Sequence, residues 1–185
     1  MNLLVKHSTL HGNMLIPASK SHTIRAVVIA SLAEGTSKLL NPLDSMDSQA
    51  SVNACIALGA KIKQGKEWAI KGFSGKPKTP AKEIDLMNSG TSTNMVAGIA
   101  SHAKGPTTLT GDESLRSRPF APIAHALNDL GAKAESIPGN GRMPLKIQGF
   151  LQGGFTEIDG LNSQPVSSLL ISSALAEHDT EIHVT

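Results

Sequence analysis

The chain repeats itself, and a repeat of this length dictates a fold assembled from copies of one supersecondary unit. Leu58-Gly59-Ala60-Lys61 recurs as Leu130-Gly131-Ala132-Lys133, and Ile70-Lys71-Gly72-Phe73 as Ile147-Gln148-Gly149-Phe150. Ala33-Glu34-Gly35 returns as Ala103-Lys104-Gly105, with a fainter echo at Ala176-Glu177-His178. The offset of about 70 to 77 residues exceeds the period of ordinary solenoids, so each copy is a whole βα module. In 185 residues the unit fits twice and begins a third time.

Hydrophobic spacing and turn chemistry predict what each copy contains. The first unit reads strand, helix, strand, helix, strand, strand. Ile24, Val27, Val28 and Leu32 lie at helix spacing over 21–32, and Gly35 follows where a helix stops. A strand over 37–40 ends at the Asn41-Pro42 turn, and Ser45 caps a second helix that closes at Gly59. Residues 61–64 and 68–71 form a hairpin across Gly65. The second unit copies the plan: a helix opened by Asn88-Ser89-Gly90, a strand over 107–110, a helix after Pro119, and a hairpin turned at Pro138-Gly139-Asn140-Gly141. Pro77 and Pro80 mark 74–82 as a linker. The third unit holds a strand over 155–158, a helix over 165–176 and a strand over 181–184. The fold class is α/β (α+β), with units at about 17–73, 83–150 and 155–185; by the logic of the repeat, two are complete and the third is truncated.

Composition restricts what such a scaffold does. Four Phe, one Trp and no Tyr leave almost no platform for stacking single-stranded nucleic acid. A net charge of +2 gives no global field for DNA or a membrane surface. The single cysteine, Cys55, excludes an intramolecular disulfide and a thiolate zinc cluster; in mid-helix among apolar residues it reads as a buried structural thiol. Seven histidines are scattered, with His7 and His11 in an expected strand and no H-x-x-x-H on a helix, so neither a metal nor a cofactor is expected. No apolar run approaches spanning length, Met1-Asn2-Leu3-Leu4-Val5-Lys6 lacks the layout of a signal peptide, and the cytoplasm is the default location. Walker, dinucleotide and nucleophile-elbow patterns are absent.

The polar residues collect at equivalent places. The first helices of the three units begin with Ser19-Lys20-Ser21, Asn88-Ser89-Gly90-Thr91 and Asn162-Ser163-Gln164. A helix N-terminus carries unpaired N–H donors and the positive end of the macrodipole, which favours anions. Plain capping accounts for any one of them, because Ser, Thr and Asn are the preferred caps. Three equivalent ends brought together by a repeat favour a shared anionic ligand. Arg25, one turn after Ser21, and Arg118, just before Pro119, add guanidinium groups suited to a carboxylate or phosphate.

These residues also carry a resemblance. Pro17-Ala18-Ser19-Lys20-Ser21-His22-Thr23-Ile24-Arg25 resembles the P-x-S-K-S-x-x-x-R signature of the 5-enolpyruvylshikimate-3-phosphate synthases. Asn88-Ser89-Gly90-Thr91 is similar to their N-[AS]-G-T motif, Leu109-Thr110-Gly111-Asp112 through Arg118-Pro119 to L-T-G-[DE]…R-P, and Asn162-Ser163-Gln164 to S-S-Q. The resemblance runs in order through the whole chain. It implies the family's inside-out fold of two globes, each of three βαβαββ units, with residues 17–185 forming most of one globe. Residues 1–16 would be a strand segment belonging to the other. It implies transfer of the enolpyruvyl group of phosphoenolpyruvate to the 5-hydroxyl of shikimate 3-phosphate, releasing phosphate. Lys20 would meet both substrates and be the catalytic proton carrier. Ser21, Arg25, Asn162 and Ser163 would hold shikimate 3-phosphate, Gly90 and Arg118 phosphoenolpyruvate, and Gln164 would lie between the two. The partners implied are these two substrates and the second globe.

The chain departs from the family pattern at Asn94, where an arginine is common, and at Asn162, which replaces the first serine of S-S-Q. The family's catalytic aspartate and glutamate have no counterpart here, so the chain is expected to be an inactive fragment. Two other readings stay open: an enolpyruvyl transferase acting on a nucleotide sugar, against which Ser19-Lys20-Ser21…Arg25 and the apolar setting of Cys55 argue, and a stand-alone anion-binding module.

Overall fold

The computed structural model describes residues 3–9 and 11–185. The first unit comprises α1 (Lys20–Leu32), β1 (Thr36–Leu40), α2 (Met46–Ala57), β2 (Lys61–Lys63) and β3 (Glu67–Lys71). The second comprises β4 (Ile84–Asp85), α3 (Gly90–Ala100), β5 (Thr107–Thr110), α4 (Glu113–Arg116), α5 (Ala121–Asp129), β6 (Lys133–Ser136) and β7 (Leu145–Gln148). The third comprises β8 (Gly154–Ile158), α6 (Ser163–Ser173) and β9 (Thr180–Val184). Each unit has its own sheet. The first is ordered β1-β3-β2 and the second β4-β5-β7-β6, so β1, β3 and β2 correspond to β5, β7 and β6. β4 runs parallel to β5 and β8 parallel to β9, while the remaining pairs are antiparallel.

The first unit departs from the expected plan. Its leading strand is not formed: residues 3–9 and 11–19, His7 and His11 included, run without regular structure. A strand exists through its ladder, and no described strand lies alongside this segment to supply one. The first unit is therefore not complete, and the free edge of β1 lacks the parallel neighbour that β5 has in β4. Leu15 and Ile16 are left 98% and 75% exposed. The parts of the N-terminal reading that fall on Met1, Asn2 and Leu10 lie outside the described residues. The two-residue β4 and the single-turn α4 are additions to the sequence-based plan.

The sheets face outward from a bundle of helices whose axis is α3. Every residue of α3 from Thr91 to Ala100 is buried, as a helix packed on all sides must be. Its neighbours are α1, α2, α5 and α6. Small side chains make this possible. A Cβ on Gly98 would lie 2.5 Å from Ser168 Oγ and 3.1 Å from the Ser168 carbonyl, so glycine sets how closely α6 approaches. Two hydroxyls trapped in the seam are satisfied: Ser168 Oγ donates to the Asn94 carbonyl (2.5 Å) and Ser172 Oγ to the Ser168 carbonyl (2.8 Å). His102, beyond the end of α3, places Nε2 3.0 Å from the Ser172 carbonyl, and burial holds its pKa below the ordinary imidazole value. Cys55 is fully buried, and desolvation pushes its thiol up to about 12. Among the described residues no helix is long and apolar enough to cross a membrane.

Gly98→Ala sets two effects against each other. Helix propensity favours alanine by about 1 kcal/mol, whereas overpacking costs about 1–3 kcal/mol. The clash wins here because relief by rotating Ser168 would break its bond to Asn94. A net loss of about 1–2 kcal/mol is expected in urea unfolding; a variant as stable as the parent would show that the α3–α6 seam is loose.

Candidate functional site

Each polar helix start is built locally. Ser19 caps α1, its hydroxyl accepting from the His22 N–H (3.3 Å), which puts Lys20 in the first turn. Ser45 caps α2 in a reciprocal box with Ser48, and Asp47 is the second residue of that first turn. Ser89 caps α3 and accepts from the Ser92 N–H (3.2 Å), placing Gly90 as the first helical residue. Asn162 caps α6, its Oδ1 accepting from the Gln164 N–H (3.0 Å).

Packing around α3 brings all four of these starts onto one cleft of about 620 Å³. Its walls include Lys20, Asp47, Gly90, Arg118, Asn162 and Gln164. The Lys20 ammonium lies 2.5 Å from the Asp47 carboxylate, while Ser92 Oγ donates to the Asp47 carbonyl (2.8 Å) and ties α2 to α3. On the opposite wall Arg118 donates to both the carbonyl (3.3 Å) and the side-chain oxygen of Asn88. Asn88 is fixed from behind, where its Nδ2 donates to Asp112 (2.7 Å). Asp112 in turn caps α4 by accepting from the Leu115 N–H (2.7 Å). That backbone bond, then Asn88, then the charge of Arg118 hold the Asp112 carboxyl below the usual carboxylate range. A Cβ on Gly90 would sit 3.3 Å from an Arg118 nitrogen, so a side chain there would press the guanidinium a few tenths of an ångström away from the helix start.

Five of the eight residues expected from the sequence line the cleft: Lys20, Gly90, Arg118, Asn162 and Gln164. Ser21, Arg25 and Ser163 do not. They sit at the junction of α1 and α6, where Arg25 donates to the Ser21 carbonyl (3.3 Å) and to Ser167 Oγ (2.8 Å). Ser167 Oγ then donates to the Ser163 carbonyl (2.8 Å). Arg116 belongs to neither group, because Nε and Nη2 both donate to Thr110 on β5. Among the described residues neither Arg25 nor Arg118 has a carboxylate within ion-pair distance. Two guanidiniums without an ion-pair partner, beside four helix N-termini, make a place for anions, with one group of donors in the cleft and another at its shoulder. Asp47, Asn88 and Asp112 are not among the site residues expected from the sequence, although Asn88 is expected at the opening of a helix.

Comparison with known proteins gives a consistent result. Residues 4–185 match the family model for EPSP synthase (3-phosphoshikimate 1-carboxyvinyltransferase). The chain is 47% identical over 186 residues to the 3-phosphoshikimate 1-carboxyvinyltransferase of Acetivibrio thermocellus, covering all of this chain and 44% of the relative. It is 45% identical to that of Methanothermobacter thermautotrophicus, covering 96% of this chain and 43% of the relative. The structure superimposes on EPSP synthase from Acinetobacter baumannii with a TM-score of 0.86 at 30% identity, covering 92% of this chain and 40% of that one. The chain thus spans under half the length of the relatives it matches.

The depressed acidity of Asp112 predicts a pH dependence. A carboxyl more acidic in the fold than in the unfolded chain stabilises above the unfolded value of about 4, and that stabilisation is lost as pH falls through the folded value. The thermal midpoints of the parent and Asp112→Asn should therefore lie apart near neutral pH and converge below about pH 4. A gap that persists unchanged into acid would mean that the asparagine is deficient for reasons other than charge.

Proposed function

The chain belongs to the EPSP synthase family, and on that premise we propose that it holds shikimate 3-phosphate and phosphoenolpyruvate for enolpyruvyl transfer. The observation that carries this reading is the division of the donors. Arg25, with Ser21 and Ser163, forms the shoulder group suited to the phosphate of shikimate 3-phosphate, and Asn162 stands between shoulder and cleft. Gly90 and Arg118 face the cleft, suited to phosphoenolpyruvate, with Lys20 and Gln164 where both ligands would meet. Joining two polyanions requires their charges to be neutralised and the reactants oriented before bonds change. In the reaction the 5-hydroxyl gives its proton to a base as its oxygen bonds to C2 of phosphoenolpyruvate, while the methylene carbon takes a proton from an acid. Loss of a proton from the new methyl group and of phosphate from C2 then restores the double bond.

Every proton movement needs an acid or base within hydrogen-bond reach. Lys20 is the one proton carrier among the residues carried over, and its ammonium is already engaged by Asp47. We assign this chain binding and orientation, and the remaining acid–base groups to a second globe. The bare edge of β1 and the exposed apolar residues of the N-terminal segment support a surface that the second globe covers. A cytoplasmic setting belongs to the same reading and agrees with a single, buried cysteine.

Titration calorimetry tests the assignment. Shikimate 3-phosphate should bind more tightly than phosphoenolpyruvate, because more of its donors are present; the reverse order would overturn the division of the site. Mixing both substrates with the chain at high concentration should release no phosphate, and sustained release would show that its own side chains suffice.

Arg118→Lys should weaken phosphoenolpyruvate binding, measured with shikimate 3-phosphate present, by about tenfold, since an ammonium cannot reproduce a planar two-point contact. Unchanged affinity would remove Arg118 from the site.

A further inference from the structure

Asn94 brings a neutral amide to the wall of the cleft, and its contacts are those of a fixed dipole. Asn94 is 4% exposed, one turn into α3. Its Nδ2 donates to the Gly90 carbonyl (3.0 Å) and to Gln164 Oε1 (3.3 Å). The first bond fixes which end of the Asn94 amide lies there, because a backbone carbonyl only accepts. The second follows from the first: an NH₂ group facing Gln164 requires an oxygen opposite, so Gln164 must turn Oε1 inward. Two forced choices run from the helix backbone to the cleft wall. Among the described residues Gln164 Nε2 has no protein hydrogen-bond partner, and Gln164 lines the cleft.

We propose that Asn94 is a positioning residue that sets the polarity of the Gln164 amide, so that Gln164 offers its NH₂ group to an anionic ligand. The inference rests on the reading of the cleft as the substrate site and adds to it a specificity device. With its carboxamide free to rotate, Gln164 would present donor or acceptor with equal ease, and an acceptor facing a phosphate or carboxylate repels it. Asn94 removes that choice without adding charge.

Side-chain amide hydrogen exchange, followed by NMR on the unliganded chain, tests the polarity directly. The Asn94 NH₂ should be protected and the Gln164 NH₂ should exchange at the rate of a free amide; protection of Gln164 with a free Asn94 would overturn the proposal. The second test is a cycle of Asn94→Ala and Gln164→Ala, read by calorimetry with shikimate 3-phosphate. Asn94→Ala should weaken binding about tenfold in the parent and leave it almost unchanged in Gln164→Ala. An equal loss in both backgrounds would mean that Asn94 acts on the fold and not through Gln164, and would overturn the proposal. Absence of any binding by the parent chain would instead overturn the substrate assignment, and the exchange measurement alone would then decide the amide's polarity.

Discussion

The close contact of α3 with α6 at Gly98 is the constraint from which the rest follows. It lets a helix of small residues run through the centre of the molecule, buried along its length, with other helices packed around it. The scarcity of aromatic residues belongs to the same economy: among the described residues Trp68 and Phe120 are the fully buried aromatics, Phe73 packs at the margin, and Ala, Val, Leu, Ile and Met do most of the remaining filling. Because α3 and α6 occupy equivalent places in successive units, aligning them aligns their beginnings. The cleft is thus a product of backbone proximity first and of side-chain chemistry second.

That order explains the unequal treatment of the charged groups. Lys20 is neutralised within the protein by Asp47, so an anion arriving there must compete with a carboxylate already in place. Arg118 is held only by neutral oxygens, with the negative charge of Asp112 one residue removed through Asn88. The guanidinium is oriented without its charge being consumed, as preorganised recognition requires. Arg25 is held in the same manner by a carbonyl and a hydroxyl.

Much of this was legible in the sequence because it is local. The caps Ser19, Ser45, Ser89 and Asn162 announce helices within three residues of themselves, and β5 forms over the residues its β-branched run marks. What escaped depends on distant partners. The two-residue β4 exists because Ile84 and Asp85 meet Leu109 and Thr110. The division of the site into cleft and shoulder depends on Arg25 reaching Ser167, and no spacing rule connects residues so far apart. Asn88 shows both sides: its place in a helix-start motif was plain, but its role as the support of Arg118 required the fold. The leading strand failed for the complementary reason, since periodicity can propose a strand but cannot supply its neighbour.

The uncovered edge of β1 has a consequence for how this chain behaves in concentrated solution. A row of unpaired backbone donors and acceptors is a template for any extended segment, and the nearest such segments are the apolar N-terminal residues of other copies. Lys38, exposed at the middle of β1, is the kind of residue that discourages such pairing through charge repulsion between like edges. Salt works against this protection, since it screens the repulsion of Lys38 while leaving the backbone template intact.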